Sequence, residues 1–137
     1  MPSESVVARL CRLPKDHLAR SLSPVALVVA SGYLNSPYVL TRQAILEELH
    51  NNPNYVDDWE LYSENQRCDG WVFRTEGDLF EVYRQTTEGA VEVDVNTWQG
   101  GHTLIHEHFT FDDRMKACAE YVVREVLALS ELAKRSN

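Results

Sequence analysis

The sequence predicts an α+β fold: an antiparallel meander of about four to five strands, packed by a long C-terminal helix and by helices from the first fifty residues. Three observations carry this. In Ala90-Val91-Glu92-Val93-Asp94-Val95-Asn96 apolar and polar side chains alternate strictly, as in a strand with one buried and one wet face. Over 112–134, Met115, Cys118, Ala119, Val122, Val126 and Leu129 recur at helical spacing. Residues 1–52 carry helix start and stop signals, so that part is expected to be mainly helical. With 137 residues the chain has the length of one domain that can bury its core without disulfides or a metal, so 1–137 is expected to be a single domain.

Taken in order, Val6 to Leu13 suits a short helix before Pro14, and Asp16 to Ser21 a second turn. Ser23-Pro24 has the form of an N-cap followed by proline at the first helical position, opening a helix that ends near Gly32. The apolar run Val25 to Ala30 would also suit a buried strand; Pro24 and the following Tyr33-Leu34 favour the helix. Thr41 is the expected N-cap of a helix over Arg42 to His50, with Ile45, Leu46 and Leu49 on one stripe, stopped by Asn51-Asn52-Pro53.

The meander is expected over 59–110. Trp59 to Ser63 alternates and reads as its first strand, followed by a polar loop ending in the turn signal Asp69-Gly70. Trp71 to Arg74 and Leu79 to Arg84 flank Glu76-Gly77-Asp78 and should pair as a hairpin. Glu88-Gly89 turns the chain into the strand Ala90 to Thr97, and after Gly100-Gly101 the segment Thr103 to Thr110 is the last strand, at an edge. Asp112 is the expected cap of the closing helix, which is too amphipathic to stand alone and must lie on the sheet.

A net charge of −8 argues against a nucleic-acid partner, since phosphate contacts need a basic face. Residues 1–40 hold four basic residues against two acidic ones, so the rest of the chain is strongly acidic and suited to attract a basic protein. No membrane association is expected, because the apolar run Val25 to Ala30 is far too short to cross a bilayer; with no leader visible in Met1 to Ser5, the expected location is the cytoplasm. Cys11, Cys68 and Cys118 are too widely spaced for a disulfide framework or a zinc knuckle and read as reduced thiols.

Few residues point to chemistry. On an extended strand His102, His106 and His108 would share a face beside Leu104, a spacing from which a divalent metal could be held, although solvent- or partner-facing imidazoles are the simpler expectation. Nothing has the pattern of a nucleophile elbow, a Cys–His pair or a phosphate loop. The acid pairs Glu47-Glu48, Asp57-Asp58 and Asp112-Asp113 could do acid–base work, but at helix starts such pairs serve the helix dipole. No cofactor is implied. Trp98, before Gln99-Gly100-Gly101, is the aromatic residue best suited to act as an exposed anchor.

Asp58-Trp59-Glu60-Leu61-Tyr62-Ser63-Glu64-Asn65-Gln66-Arg67, then Gly70-Trp71-Val72-Phe73, then Phe109 to Val126 with Ala117-Cys118-Ala119-Glu120-Tyr121-Val122, form a pattern that resembles small immunity proteins of bacterial polymorphic-toxin and contact-dependent inhibition systems. The resemblance spans about residues 41 to 132 as an order of strands and helix. It implies a compact, non-catalytic, acidic domain that neutralises a cognate toxin, often a basic nuclease, by occluding its active site or surface. The expected contact residues, from their outward faces, are Glu76, Asp78, Glu81, Glu92, Asp94, Trp98 and Glu107. A small metal-dependent enzyme built on the three histidines and an α+β regulatory or scaffold domain are the alternatives. The oligomeric state is left open.

Overall fold

The computed structural model describes residues 5–65, 70–88, 91–94, 97–99 and 102–135, with side chains at all of these except 87–88, 91–94, 97–99 and 102–104. Six α-helices and five strands follow in the order α1 (Val6–Cys11), α2 (Leu13–Arg20), α3 (Pro24–Ser31), α4 (Arg42–Asn51), α5 (Asn54–Glu64), β1 (Gly70–Glu76), β2 (Leu79–Glu88), β3 (Val91–Asp94), β4 (Thr97–Gln99), β5 (His102–Phe111) and α6 (Arg114–Arg135). Two 3-10 turns join α3 to α4.

Local chemistry sets the helix ends. The side chains of Ser5, Ser23 and Thr41 accept from the backbone N–H three residues on, capping α1, α3 and α4. Gly32, at φ 88°, ends α3 in the left-handed region that a side chain would resist. Pro14 does not stop a helix; it sits in the first turn of α2, where its missing N–H has no intrahelical partner to lose. Helix α6 is capped by Asp113 rather than Asp112: Asp113 Oδ1 accepts from the N–H of Met115 and Lys116 at 2.9 and 3.2 Å.

Trp59 to Ser63 is helix, not the first strand. Val56, Trp59, Tyr62 and Ser63 are buried at helical spacing in α5, so the alternation of Trp59, Leu61 and Ser63 is incidental to a stripe of period 3.6. Trp59 is fully buried: its Nε1 donates to the Cys11 carbonyl at 2.8 Å, and its ring meets Tyr62 and Tyr121 edge-on.

The sheet is also smaller than the sequence predicts. Three antiparallel strands form it, in the order β1-β2-β5, while β3 and β4 pair with each other as a separate two-stranded ribbon between β2 and β5. Because β5 returns to pair with β2, the alternating run at 91–94 belongs to that ribbon and not to the main sheet. β1 and β2 turn through Gly77-Asp78, with Gly77 at φ 61°, the positive φ that a two-residue hairpin turn requires. The β2–β5 register shifts between Arg84 and Gln85: Arg84 faces Glu107 and Gln85 faces Ile105, leaving His106 as a bulge.

One face of the sheet carries the cross-strand rows Phe73-Val82-Phe109 and Thr75-Phe80-Phe111. That face packs on α6, whose other side meets α3 and α4. Helix α6 is therefore the axis of the core, and Ala117, Cys118, Tyr121, Val122 and Val126 on it are fully buried. Each large apolar side chain removed from water here stabilises the fold by roughly 1.5–3 kcal/mol. Cys11 and Cys118 are buried free thiols, and burial pushes the Cys11 thiol up to about 12 and Cys118 well above its ordinary value, so both stay protonated and inert at neutral pH. Cys68 lies outside the described residues.

Candidate functional site

The acids expected to form one outward surface separate into two groups. At the base of the sheet they are ion-paired. Arg74 bonds Glu76 and reaches Glu81 at 3.2 Å, while Glu81 also lies 3.6 Å from His108. Glu107 shares the row of Trp71 and Arg84 on the helix side; it is exposed, as the sequence predicts, but lies 3.9 Å from Arg84 and 3.7 Å from Arg124. Asp78 is exposed in the hairpin turn. Glu92, Asp94 and Trp98 are located by backbone register alone, Glu92 opposite Trp98 and Asp94 opposite Thr97; their side chains lie outside the described residues.

The histidine set does not assemble in the regular way. The bulge at His106 interrupts the alternation that would align it with His108, and the side chain of His102 lies outside the described residues. His106 hydrogen-bonds Thr86 at 2.6 Å, and His108 stands edge-on to Tyr83. Among the described residues no group of three or more His, Cys, Asp or Glu side chains could hold a metal ion. Of the acid pairs, Asp57 bonds Arg114 at 2.8 Å, Glu47 accepts from Gln43 and Glu48 from Asn52, so each has a structural partner.

Two buried acids on α6 were not singled out by the sequence. Glu120 accepts from Arg42 at 2.5 and 2.9 Å and from Arg124 at 2.7 Å. Burial alone would raise its pKa, but the hydrogen bonds from the two guanidiniums outweigh it and hold the carboxyl below its ordinary range. Arg124 in turn lies over the rings of Trp71 and Phe109, tying α6 to the sheet by cation–π contact as well as charge. One and a half turns on, Glu125 has no arginine partner among the described residues. It accepts from the Tyr62 hydroxyl at 2.7 Å, and burial raises its pKa with that bond only partly opposing. Both carboxylates sit within a helical pattern whose other members are apolar; the sequence signal was an acid on the buried stripe, which solvent-face reasoning passes over.

Tyr62 also lines a small groove between α2 and α5 with Pro14, His17, Leu18, Asp58, Leu61 and Asn65, of about 70 Å³. His17 Nδ1 lies 2.6 Å from the Leu22 carbonyl, which can only accept, so Nδ1 is the donor. Asp58 Oδ2 is buried with no hydrogen bond, its nearest cation being Lys15 at 3.9 Å. The spacing of His17 from Asp58 in sequence is far too long to suggest that they line one groove, which the packing of α2 on α5 creates.

Comparison of the chain with protein-family models, curated proteins and solved structures finds no match in any of the three.

Proposed function

We propose that the chain is a non-catalytic acidic binding protein that neutralises a cognate basic protein toxin in the cytoplasm, contacting it with the segment that joins β2 to β5. One observation carries this: residues 89–101, the chain between β2 and β5, contain Glu92 and Asp94 and no Lys or Arg. At the base of the sheet, by contrast, Arg74, Arg84 and Arg124 already engage the carboxylates. An acidic segment with no cation of its own leaves its field available to a basic partner and speeds encounter. The register opposes Glu92 and Trp98, which puts a large aromatic residue next to an acid, the composition of an interface anchor.

The experiment is affinity capture with the tagged chain at low ionic strength, then binding kinetics with the purified partner. The partner should be basic and should arrest growth when expressed alone, and the chain should relieve that arrest. The double substitution E92K/D94K should slow association at least about tenfold, with an effect that shrinks as salt rises. Association unchanged by that reversal would remove the proposal. A captured partner that is harmless when expressed alone would instead support a regulatory or scaffold domain.

A further inference from the structure

We infer that the groove lined by α4, the end of β5 and the start of α6 binds a small carboxylic acid with an apolar body, its carboxylate meeting Lys116 and Arg42 and its body lying on Leu46 and Phe111. The groove has a volume of about 210 Å³. That is below the roughly 300 Å³ at which pockets for drug-sized ligands begin, so the ligand is a small one. Leu46 and Phe111 are half-buried: each packs against the core yet keeps surface of its own, and together they give the groove an apolar floor.

Two cations border that floor. Lys116 is exposed, and its ammonium makes no hydrogen bond or ion pair among the described residues. It stands in the first turn of α6, which carries no acid and where the positive end of the helix dipole disfavours a cation. Arg114, in the same turn, offsets that cost by pairing with Asp57 and Glu60. Lys116 has no such pair, so its charge is open to an anion from outside. Arg42 is more than half exposed; its Nε and Nη2 donate to Glu120 at 2.5 and 2.9 Å, and its Nη1 has no partner among the described residues. The bond to Glu120 fixes the guanidinium beforehand, which lowers the ordering cost of binding.

The lining selects the charge of the ligand. Arg42 and Lys116 against the single carboxylate of Glu120 leave one positive charge, which one carboxylate matches. A phosphate monoester, at about −1.5 to −2 near neutral pH, would bring unmatched negative charge beside Glu120, and an amine would meet two cations. Aromatic rings stack on aromatic side chains and on guanidinium planes, so an aromatic acid suits a groove lined by Phe111 and Arg42. Phe111 is the last residue of β5 and the joining segment enters at the first, His102, so the groove and that segment lie at opposite ends of the strand. E92K/D94K should therefore leave binding here unchanged, and this inference and the toxin proposal fail separately.

The test is titration of the full chain with benzoate, benzyl alcohol, acetate and phenyl phosphate, followed by amide NMR shifts at one ionic strength set with chloride. Benzoate should give saturable shifts at Leu46, Phe111 and Lys116 and bind more tightly than the other three. K116Q should weaken benzoate about fivefold, the upper range for one exposed ion pair, and leave benzyl alcohol unaffected. K116R keeps the charge and should restore most of the loss. Affinity for benzoate no greater than for benzyl alcohol, or unchanged in K116Q, overturns the site, as do shifts confined to other parts of the chain. Acetate binding as tightly as benzoate overturns the apolar body, and tighter binding of phenyl phosphate overturns the carboxylate assignment.

Discussion

The base of the sheet and the segment that joins β2 to β5 both carry carboxylates, yet they differ in the cations that their own sequence supplies. At the base, Glu76 and Glu81 share Arg74, and Glu107 stands between Arg84 and Arg124. From residue 89 to residue 101 the chain supplies two acids, Glu92 and Asp94, and no Lys or Arg. The difference teaches that a count of acids does not define a surface: a carboxylate engaged by a neighbouring guanidinium stabilises the fold, and one without such a neighbour projects a field. The body around α6 uses its charges internally, and the proposed function assigns the charge of the joining segment to a partner.

The comparison can be broken or sharpened by substitutions on either side of it. The largest effect on stability is expected inside the body: Trp59→Ala removes a fully buried ring and the bond to the Cys11 carbonyl, and should cost about 3–5 kcal/mol in urea unfolding. Glu120→Ala takes the shared acceptor from Arg42 and Arg124. Because Arg42 is more than half exposed and can be rehydrated, the expected loss is about 2 kcal/mol, below that for a wholly buried pair. A loss near zero would mean that the clasp is no better than a surface pair.

Glu120 and Glu125 should also give opposite pH slopes. The depressed pKa of Glu120 means that its contribution is complete above the ordinary carboxyl range and is lost as pH falls through the folded value. The raised pKa of Glu125 means that the folded state holds its proton more tightly than the unfolded chain does, so stability falls as pH rises from the ordinary carboxyl range through the raised value. Glu125→Gln keeps an acceptor for the Tyr62 hydroxyl without a buried charge. It should therefore raise stability at neutral pH by about 1 kcal/mol and flatten that second slope in unfolding curves collected across pH. The smallest stability effect is expected in the joining segment: E92K/D94K should shift the unfolding midpoint by no more than about 0.5 kcal/mol, even where it abolishes partner binding. A large destabilisation there would mean that those acids are structural, like the ones at the base.

Much of the architecture was legible because local signals and packing agree. Ser23-Pro24 with Gly32, Thr41, the Gly77-Asp78 turn and the apolar stripe of α6 each fix an element by chemistry confined to a few residues. Trp59-Glu60-Leu61-Tyr62-Ser63 was misread because five residues can satisfy period 2 and period 3.6 at once, and only the packing of Trp59 and Tyr62 against Tyr121 and Glu125 decides between them. The separation of β3 and β4 from the sheet was hidden for a different reason: alternation identifies a strand but not its neighbour. Glu107 meets Arg84 and Arg124, and Glu120 meets Arg42, across long stretches of sequence, so no pattern along the chain foretold those pairs; only Arg124–Glu120, four residues apart on α6, has a local spacing.

The bond from the Phe73 N–H to Ser63 Oγ has a consequence beyond holding α5 against β1. It spends a backbone donor on the outer margin of the sheet, where α5 lies alongside and leaves little room for a further strand. The opposite margin, β5, is kinked by its bulge and bears Glu107 beside it. Edge-to-edge stacking of copies into ribbons would thus meet a helix on one side and a distorted, charged border on the other, a form of protection against fibril growth that resides in two short contacts.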